Sequence, residues 1–388
     1  MKITVKAVNM NKSFIIAVLA VMSSTISCGQ KDVQPEEGSR TGFAISFFKS
    51  ADDSVGHNEN VIVSPYSAGV ILSMLAEGAD GETEAEIDNA LNGTLFKAEE
   101  TGSGDDCIAL SSNSVWISDD FSVRNRYVNI LEKDFDAFVD TQDFADPATV
   151  KAINNWCSEH TSGKITEIID RLGPDMVMVL VNALYFNAPW EREFDLEATY
   201  TDVFHGRMTD TEVSMMAQKA MFNYAEYQGA QMIEIPYSGG QYSMYVVLPP
   251  SGMSPEAVLP YLNEETFDRA LNMLSPVEVA FKMPAYKMET SLVLNGTLEK
   301  MGVRTAFSSA ADFNGISVSG PLKLDVVKQK CYVDVNEKGT EAAAVTSAQI
   351  RLTSVRPVIE MKVDRPFFFM IADMEHDNIL FAGKIVEL

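Results

Sequence analysis

The feature that most restricts the fold of this chain is a long run of small residues near its C-terminus, VNEKGTEAAAVTSAQIRLTSVRP, at positions 335–357. If residues 340 to 352 are extended, alternate side chains share a face. One face then carries only small or apolar side chains, namely Thr340, Ala342, Ala344, Thr346, Ala348, Ile350 and Leu352. This pattern predicts a strand that can bury one face in a crowded place. A short helix through EAAAV is the alternative, since Ala and Glu favour helices.

The length of this run creates a conflict with the segment before it. LKLDVVKQKCYVDV, residues 322–335, is already a predicted strand. Joined together, the two segments would far exceed the usual strand length of about three to ten residues. Gly339 offers a joint at which the chain can change direction. The sequence therefore permits an exposed loop, or a run that folds back at Gly339 and pairs beside its own preceding strand, and so predicts a conformational switch.

Composition and patterning indicate one α+β domain over residues 41–388. The chain has 388 residues, of which 46% are apolar, which is enough for a sizeable core. Helical patterns dominate the first half and strand patterns follow from about residue 177, without regular βαβ alternation. A net charge of −25, with no cluster of Lys or Arg, argues against nucleic acid as a partner.

The N-terminus resembles an export signal. MNKSFIIAVLAVM has a basic start and a short apolar run, and STISC ends it with small residues before Cys28, similar to the lipobox of bacterial lipoproteins. Thr25 departs from the Leu usual in that motif. We predict a signal peptide at 1–27, acylation of Cys28 and a polar tether at 28–40, which would place the protein at the outer membrane, on the cell surface or the periplasmic face. Plain secretion, or a retained signal, is the alternative.

The sequence contains no strong catalytic, cofactor or metal motif: it lacks Cys-x-x-Cys, His-Glu-x-x-His, a phosphate loop and a Gly-x-Ser-x-Gly elbow. Cys157 and His160, three residues apart on one predicted helix, are the nearest approach to a nucleophile and its base. An enzyme using this pair is the least favoured hypothesis, and no cofactor or metal is expected. Once Cys28 is acylated, Cys107, Cys157 and Cys331 remain, and we expect buried free thiols.

Seven segments in order resemble the serpin family. They are NVIVSPYSAGVILSMLAEGADGET, LVNALYFNAPWEREF, IEIPYSGGQYSMYVVLPP, MPAYKMETS, LEKMGVRTAFSSAADFNGIS, the hinge-like GTEAAAVT and DRPFFFMIADMEHDNILFAGKI. The resemblance implies three β-sheets, about eight helices and an exposed reactive-centre loop at about 338–357. It also implies a monomeric suicide inhibitor of serine proteases, with cysteine proteases a further class, in which the cleaved loop inserts into the main sheet and traps the acyl-enzyme.

The same resemblance assigns roles to individual residues. The hinge of inhibitory members is matched by Glu337, Gly339, Thr340, Glu341, Ala342, Ala343 and Ala344. Counting seventeen positions from Glu337 places the cleaved bond at Thr353-Ser354, while counting back from Pro366 leaves Arg351, Leu352 and Arg356 open. The shutter and breach, which control opening of the main sheet, are matched by Ser64, Ser67, Asn182, Trp190 and Gln329. Thr353 suits elastase-like or subtilisin-like targets, and the arginines suit trypsin-like ones.

Three departures from the family pattern support an alternative or restrict regulation. Gln329 stands where a shutter His is usual, and Ala285 stands where a Lys commonly pairs with the hinge Glu, here Glu337. Both favour the alternative of a non-inhibitory serpin that acts as a cleavable binding protein. The short segment after residue 91 predicts a short or missing helix D, which makes activation by glycosaminoglycans through that helix unexpected.

Overall fold

The computed structural model describes residues 39–97, 108–173, 176–340 and 358–388. These ranges contain eight α-helices, as expected: α1 (Arg40–Val55), α2 (Pro65–Ala76), α3 (Gly81–Ala90), α4 (Asn125–Asp134), α5 (Pro147–His160), α6 (Pro255–Val258), α7 (Glu264–Met273) and α8 (Asn295–Lys300). The strands are β1 (Val61–Val63), β2 (Ile108–Ser118), β3 (Ala137–Gln142), β4 (Met178–Pro189), β5 (Tyr200–His205), β6 (Asp210–Tyr227), β7 (Ala230–Pro236), β8 (Tyr242–Leu248), β9 (Ser275–Pro284), β10 (Tyr286–Val293), β11 (Lys328–Asn336), β12 (Gly339–Thr340), β13 (Ile359–Lys362), β14 (Phe367–Asp373) and β15 (Asn378–Ile385).

The strands form two hydrogen-bonded groups. The main sheet has six strands in the order β10-β11-β12-β4-β2-β3. The second group has nine strands in the order β1-β15-β14-β8-β7-β6-β9-β13, with β5 also paired to β6. The long β6 pairs with β5, β7 and β9 along its length, so it joins the two smaller sheets of the expected three into one group. The fold is the α+β arrangement that the sequence predicts.

Helix ends follow local sequence signals. The Ser64 side chain caps α2 by accepting a hydrogen bond from the Ser67 N–H, and Pro65 occupies the first turn, where its missing N–H costs nothing. Beyond α5, Gly163 adopts a φ of +78° and its N–H donates to Ser158 O at 2.8 Å, which terminates the helix. In the described part of the connection from α3 to β2, residues 91–97 form no helix.

Two hydrophobic cores lie on opposite faces of the main sheet, and β4 contributes alternate residues to both. Leu184, Phe186 and Ala188 belong to the large core. Val179, Val181 and Ala183 belong to a smaller core that includes residues of α5. Because side chains of a strand alternate between faces, β4 is apolar on both sides and reads as a continuous apolar run. The strand next to the hinge is therefore buried from both directions.

The predicted strand at 322–335 begins later than expected, at Lys328. Asn295 explains the difference, because its side-chain amide donates to Asp325 O at 2.8 Å and accepts from Val327 N at 2.9 Å. The main-chain N–H of Leu294 also donates to Val327 O. The backbone of residues 325 to 327 is thus engaged with the start of α8, and the sheet register starts after it.

The described residues belong to one compact unit, Glu37–Leu388. None of the helices within the described ranges has the length and apolar character needed to cross a bilayer.

A buried tyrosine hydroxyl gives a test of the packing. Tyr286 is 5% exposed, its ring packs on Phe367 and Phe369, and within the described residues its hydroxyl has no hydrogen-bond partner. Since an unsatisfied buried hydroxyl is costly, Tyr286→Phe should raise the free energy of unfolding by about 1 kcal/mol. The shift in the midpoint of urea unfolding measures it.

Tyr127→Phe is the matched control. The Tyr127 hydroxyl is also buried, but it donates to Met74 O at 2.9 Å. Its loss should lower the free energy of unfolding by about 1 kcal/mol. If both substitutions destabilised the protein equally, the assignment of Tyr286 as unsatisfied would be wrong.

Candidate functional site

The hinge site, defined as Glu337, Lys338, Gly339 and Thr340, is a tight turn followed by the first residues of a new strand. The chain reverses between Asn336 and Gly339, and β12 returns antiparallel to β11 with Val335 opposite Thr340. The chain therefore reverses directly before the expected joint at Gly339, because the turn lies at Glu337 and Lys338. The Asn336 side chain accepts from the Lys338 N–H at 3.1 Å, which is a local turn preference of Asn.

The other edge of β12 pairs with β4. Gly339 lies opposite Pro189 and Thr340 opposite Ala188. Gly339 is needed for this close approach: a Cβ added there would lie 2.2 Å from Ala188 O and 2.6 Å from Pro189 Cα. The glycine thus admits the hinge strand beside β4, whereas the sequence suggested that it serves to change direction.

Below β12, β4 and β11 present facing edges. Along their other edges, β4 pairs with β2 from Met178 to Asn187, and β11 pairs with β10 from Lys328 to Val335. Within the described part of the chain, β12 is the strand that connects the two. The geometry is that of a sheet holding the first two residues of an added strand between two long neighbours.

Trp190 and Tyr237 form an aromatic wall at the hinge. Their rings stack with centroids 4.5 Å apart and an angle of 16° between planes. Trp190 Nε1 donates to Asn336 O at 3.0 Å. The Tyr237 hydroxyl lies 2.7 Å from Thr340 Oγ1. Sequence analysis missed Tyr237, although it stands in the quoted segment IEIPYSGGQYSMYVVLPP.

Glu337 has a partner other than the usual lysine. Thr199 Oγ1 donates to Glu337 Oε1 at 2.9 Å. The main chain adds two anchors, because Phe194 N donates to Glu337 O at 2.7 Å and Trp190 N donates to Lys338 O at 2.9 Å. The hinge turn is therefore held by the segment that follows β4, without a contribution from position 285.

The predicted shutter residues form two separate hydrogen-bonded groups. Gln329 is buried, and its amide pairs with both backbone groups of one residue, accepting from Ser64 N and donating to Ser64 O, each at 2.9 Å. Ser64 Oγ donates to Ser67 Oγ at 2.9 Å. Asn182 Nδ2 donates instead to Asn113 Oδ1 on β2 at 2.7 Å, a partner that the sequence gave no reason to single out. The side-chain amide of Gln329 thus makes two hydrogen bonds at the position where the family usually has a histidine.

The remaining predicted site residues lie outside the described residues. The first is Cys28, the predicted site of acylation. The others are the hinge residues Glu341, Ala342, Ala343 and Ala344, and the residues around the reactive bond, Arg351, Leu352, Thr353, Ser354 and Arg356.

The proposed nucleophile and base do not form a reactive pair. Cys157 is 1% exposed, and burial raises the pKa of its thiol to about 11. The His160 ring stacks on Trp156 with centroids 4.2 Å apart, and its Nδ1 lies 2.7 Å from Trp156 O. Cys331 is likewise buried and free, with its pKa raised by burial to about 12. Both thiols stay protonated near neutral pH, so neither is an activated nucleophile. The described residues also contain no cluster of His, Cys, Asp or Glu able to hold a metal ion.

Comparison with known proteins agrees with this geometry. The family model described as serpin (serine protease inhibitor) matches residues 39–388. A serpin-like protein of Methanosarcina acetivorans is 33% identical over 378 residues, covering 93% of this chain and 87% of that protein. Iris of Ixodes ricinus is 33% identical over 372 residues, covering 89% of this chain and 97% of its own.

Solved structures give the same assignment. The native state of tengpin, a thermophilic serpin, superposes with a TM-score of 0.82 at 29% identity, covering 90% of this chain and 93% of tengpin. Thyroxine-binding globulin in complex with thyroxine superposes with a TM-score of 0.80 at 26% identity, covering 90% and 98%. The family match and the superpositions agree on the fold. The chain belongs to the serpin family, whose members are in general protease inhibitors and not catalysts.

The close contact at Gly339 yields a direct test. Gly339→Ala should expel β12 from its place beside β4, because the added methyl group would overlap the backbone of Ala188 and Pro189. We expect faster hydrogen exchange at the amides of residues 335 to 340, measured by mass spectrometry. Gly296→Ala, at an exposed helical position with no atom within 4 Å of the added Cβ, is the control and should leave this exchange unchanged. Protection equal to that of the unaltered protein would contradict the close approach.

Proposed function

We propose that this serpin is a suicide inhibitor of serine proteases that works by inserting its own cleaved loop into the main sheet. The observation that carries the proposal is the position of Gly339 and Thr340, which already lie as a strand between β4 and β11. Loop residues that follow Thr340 would extend this strand along the same two edges. Adding a strand to a sheet edge is an established mode of peptide recognition.

The chemical step belongs to the protease. Its serine attacks the carbonyl carbon at the scissile bond, an ester forms to the loop, and the amine of the C-terminal fragment leaves. Insertion of about fourteen residues at about 3.3 Å each carries the attached protease roughly 45 Å. A displacement of about 1 Å at an active site can cost about a hundredfold in rate, so the ester is not hydrolysed. The intact inhibitor is then a kinetically trapped state.

The scissile bond that we propose is Thr353-Ser354, with Arg351, Leu352 and Arg356 as alternatives. A small residue before the bond suits elastase-like and subtilisin-like proteases, and an arginine suits trypsin-like ones. The hinge contacts support inhibition over the cleavable binding protein. Thr199 replaces the missing lysine at Glu337, and Gln329 holds Ser64 through two hydrogen bonds. The two departures that favoured the binding protein thus both have substitutes.

We further propose that the mature protein acts at the outer membrane of a bacterial envelope, anchored by lipid on Cys28, as a monomer without cofactor. Its target proteases would then come from outside the cell or from the periplasm. The strongly acidic chain would be repelled by anionic lipid headgroups, so the anchor would be the membrane contact.

Formation of a covalent adduct tests the inhibitory mechanism. The soluble form from residue 29 onward is mixed separately with elastase, trypsin and subtilisin, and the products are separated on a denaturing gel. We expect an adduct with at least one protease and a released peptide that begins at Ser354 by mass spectrometry. Clean cleavage without adduct by all three would favour the cleavable binding protein.

Thr340→Arg tests whether insertion is required. Thr340 is 2% exposed, so a guanidinium there would enter the sheet buried and without an opposite charge. We expect the variant to be cleaved as a substrate and to form no covalent adduct with the protease. Asn129→Arg, on the exposed side of α4, adds the same charge and should inhibit normally. Unchanged inhibition by Thr340→Arg would contradict the insertion mechanism.

Replacement of Cys28 tests the anchor. Cys28→Ala should move the protein from the membrane fraction to the soluble fraction and abolish incorporation of a labelled fatty acid, because no acyl chain could be attached. Retention of the variant in the membrane fraction would instead support a retained signal segment.

A further inference from the structure

Tyr237 is held rigidly beside the hinge. It follows β7, is fully buried, stacks on Trp190 and receives the ring of Phe186 edge-on with centroids 4.9 Å apart. Its backbone is fixed as well, since Tyr237 N donates to Tyr242 O at 3.0 Å and the residue forms a β-bridge with Trp190. The ring and backbone of Tyr237 are therefore held by residues outside the hinge site.

This hydroxyl meets the side chain of Thr340. The two oxygens are 2.7 Å apart in a buried contact, and either can donate. Thr340 occupies β12, so the hydrogen bond exists only while Thr340 lies within the main sheet. When the hinge is outside the sheet, the Thr340 hydroxyl returns to water.

We propose that Tyr237 is a positioning residue for loop insertion, whose hydroxyl captures Thr340 and favours the first step of strand addition. This inference rests on the proposed inhibitory mechanism. It also identifies a selectivity at position 340, because a hydroxyl that enters a buried site without a partner carries a desolvation cost, whereas an apolar side chain of the same shape does not. With Tyr237 in place, Thr enters the sheet with its hydroxyl satisfied.

The alternative is that Tyr237 only fills space in the aromatic wall. The two roles differ in how substitutions combine. If the hydroxyl acts through Thr340, its removal should slow insertion only when position 340 carries a hydroxyl. If Tyr237 merely supports the wall, its substitution should have the same effect whatever occupies position 340.

A double-mutant cycle separates these roles. Tyr237→Phe, Thr340→Val and the double variant are compared with the unaltered protein by the stoichiometry of inhibition, which is the number of inhibitor molecules consumed per protease trapped. That number minus one is the ratio of the substrate rate to the trapping rate. Slower insertion therefore raises the stoichiometry minus one in proportion.

We expect Tyr237→Phe alone to raise the stoichiometry minus one by about threefold to tenfold, the size of one buried hydrogen bond. In the Thr340→Val background the same change at Tyr237 should not raise it, because position 340 then carries no hydroxyl to pair with. Equal factors in both backgrounds would overturn the proposal.

Tyr127→Phe is the control for loss of a buried tyrosine hydrogen bond elsewhere. Its hydroxyl donates to Met74 O in the core beside α4, with no contact to the hinge in the described structure. It should lower stability and leave the stoichiometry unchanged. A rise equal to that of Tyr237→Phe would mean that general destabilisation causes the effect, and the proposal would fail.

A second readout separates failure of this proposal from failure of the proposed function. If the unaltered protein forms no adduct with elastase, trypsin or subtilisin, the inhibitory mechanism is wrong. The same four proteins are then cleaved in the loop, and their urea unfolding midpoints are compared. Coupling between Tyr237 and Thr340 in the cleaved form would support the capture of the hinge hydroxyl, and additive shifts would refute it.

Discussion

The pairing of Gly339 and Thr340 between β4 and β11 is the interaction on which the rest of the site depends. It sets β4 and β11 two strand spacings apart at that level, roughly 9.6 Å in a regular sheet. It also requires that the residue beside Ala188 and Pro189 has no Cβ. The aromatic wall bonds Asn336 and Thr340, and the main-chain anchors hold the carbonyls of Glu337 and Lys338 in the turn between them. The hinge is thus specified by backbone geometry first and by side chains second.

The polar groups below the hinge serve a different purpose. Gln329 ties β11 to the start of α2 through both backbone groups of Ser64, and the pair Asn113 and Asn182 ties β2 to β4. The first contact lies on the β11 side of the facing edges, and the second lies on the β4 side. A glutamine does not titrate, whereas a histidine has an ordinary pKa of about 6.5. The hydrogen bonds of Gln329 to Ser64 therefore keep their donors and acceptors across the range in which an imidazole would gain a proton.

The sequence predicted the fold class, because it follows from the order of the helical and strand patterns and from the resemblance to the family. It could not predict partners that are distant along the chain. Thr199 with Glu337, Asn113 with Asn182 and Tyr237 with Thr340 meet only after the sheets pack. The late start of β11 has the same origin, since the Asn295 side chain competes for backbone that the apolar pattern assigns to a strand. Long-range polar contacts override a local pattern wherever they satisfy buried backbone groups.

In the proposed mechanism, the location of the turn would explain why strand addition begins at this end of the loop. Closing a loop costs conformational entropy that rises with its length, and the turn at Glu337 and Lys338 is among the shortest that can reverse a strand. Once Thr340 is seated, each further residue adds backbone hydrogen bonds to β4 or β11 without closing a new loop. The step that the structure already shows complete is the entry of Thr340, the first side chain that must be buried. A hydroxyl placed in advance at Tyr237 stabilises that step.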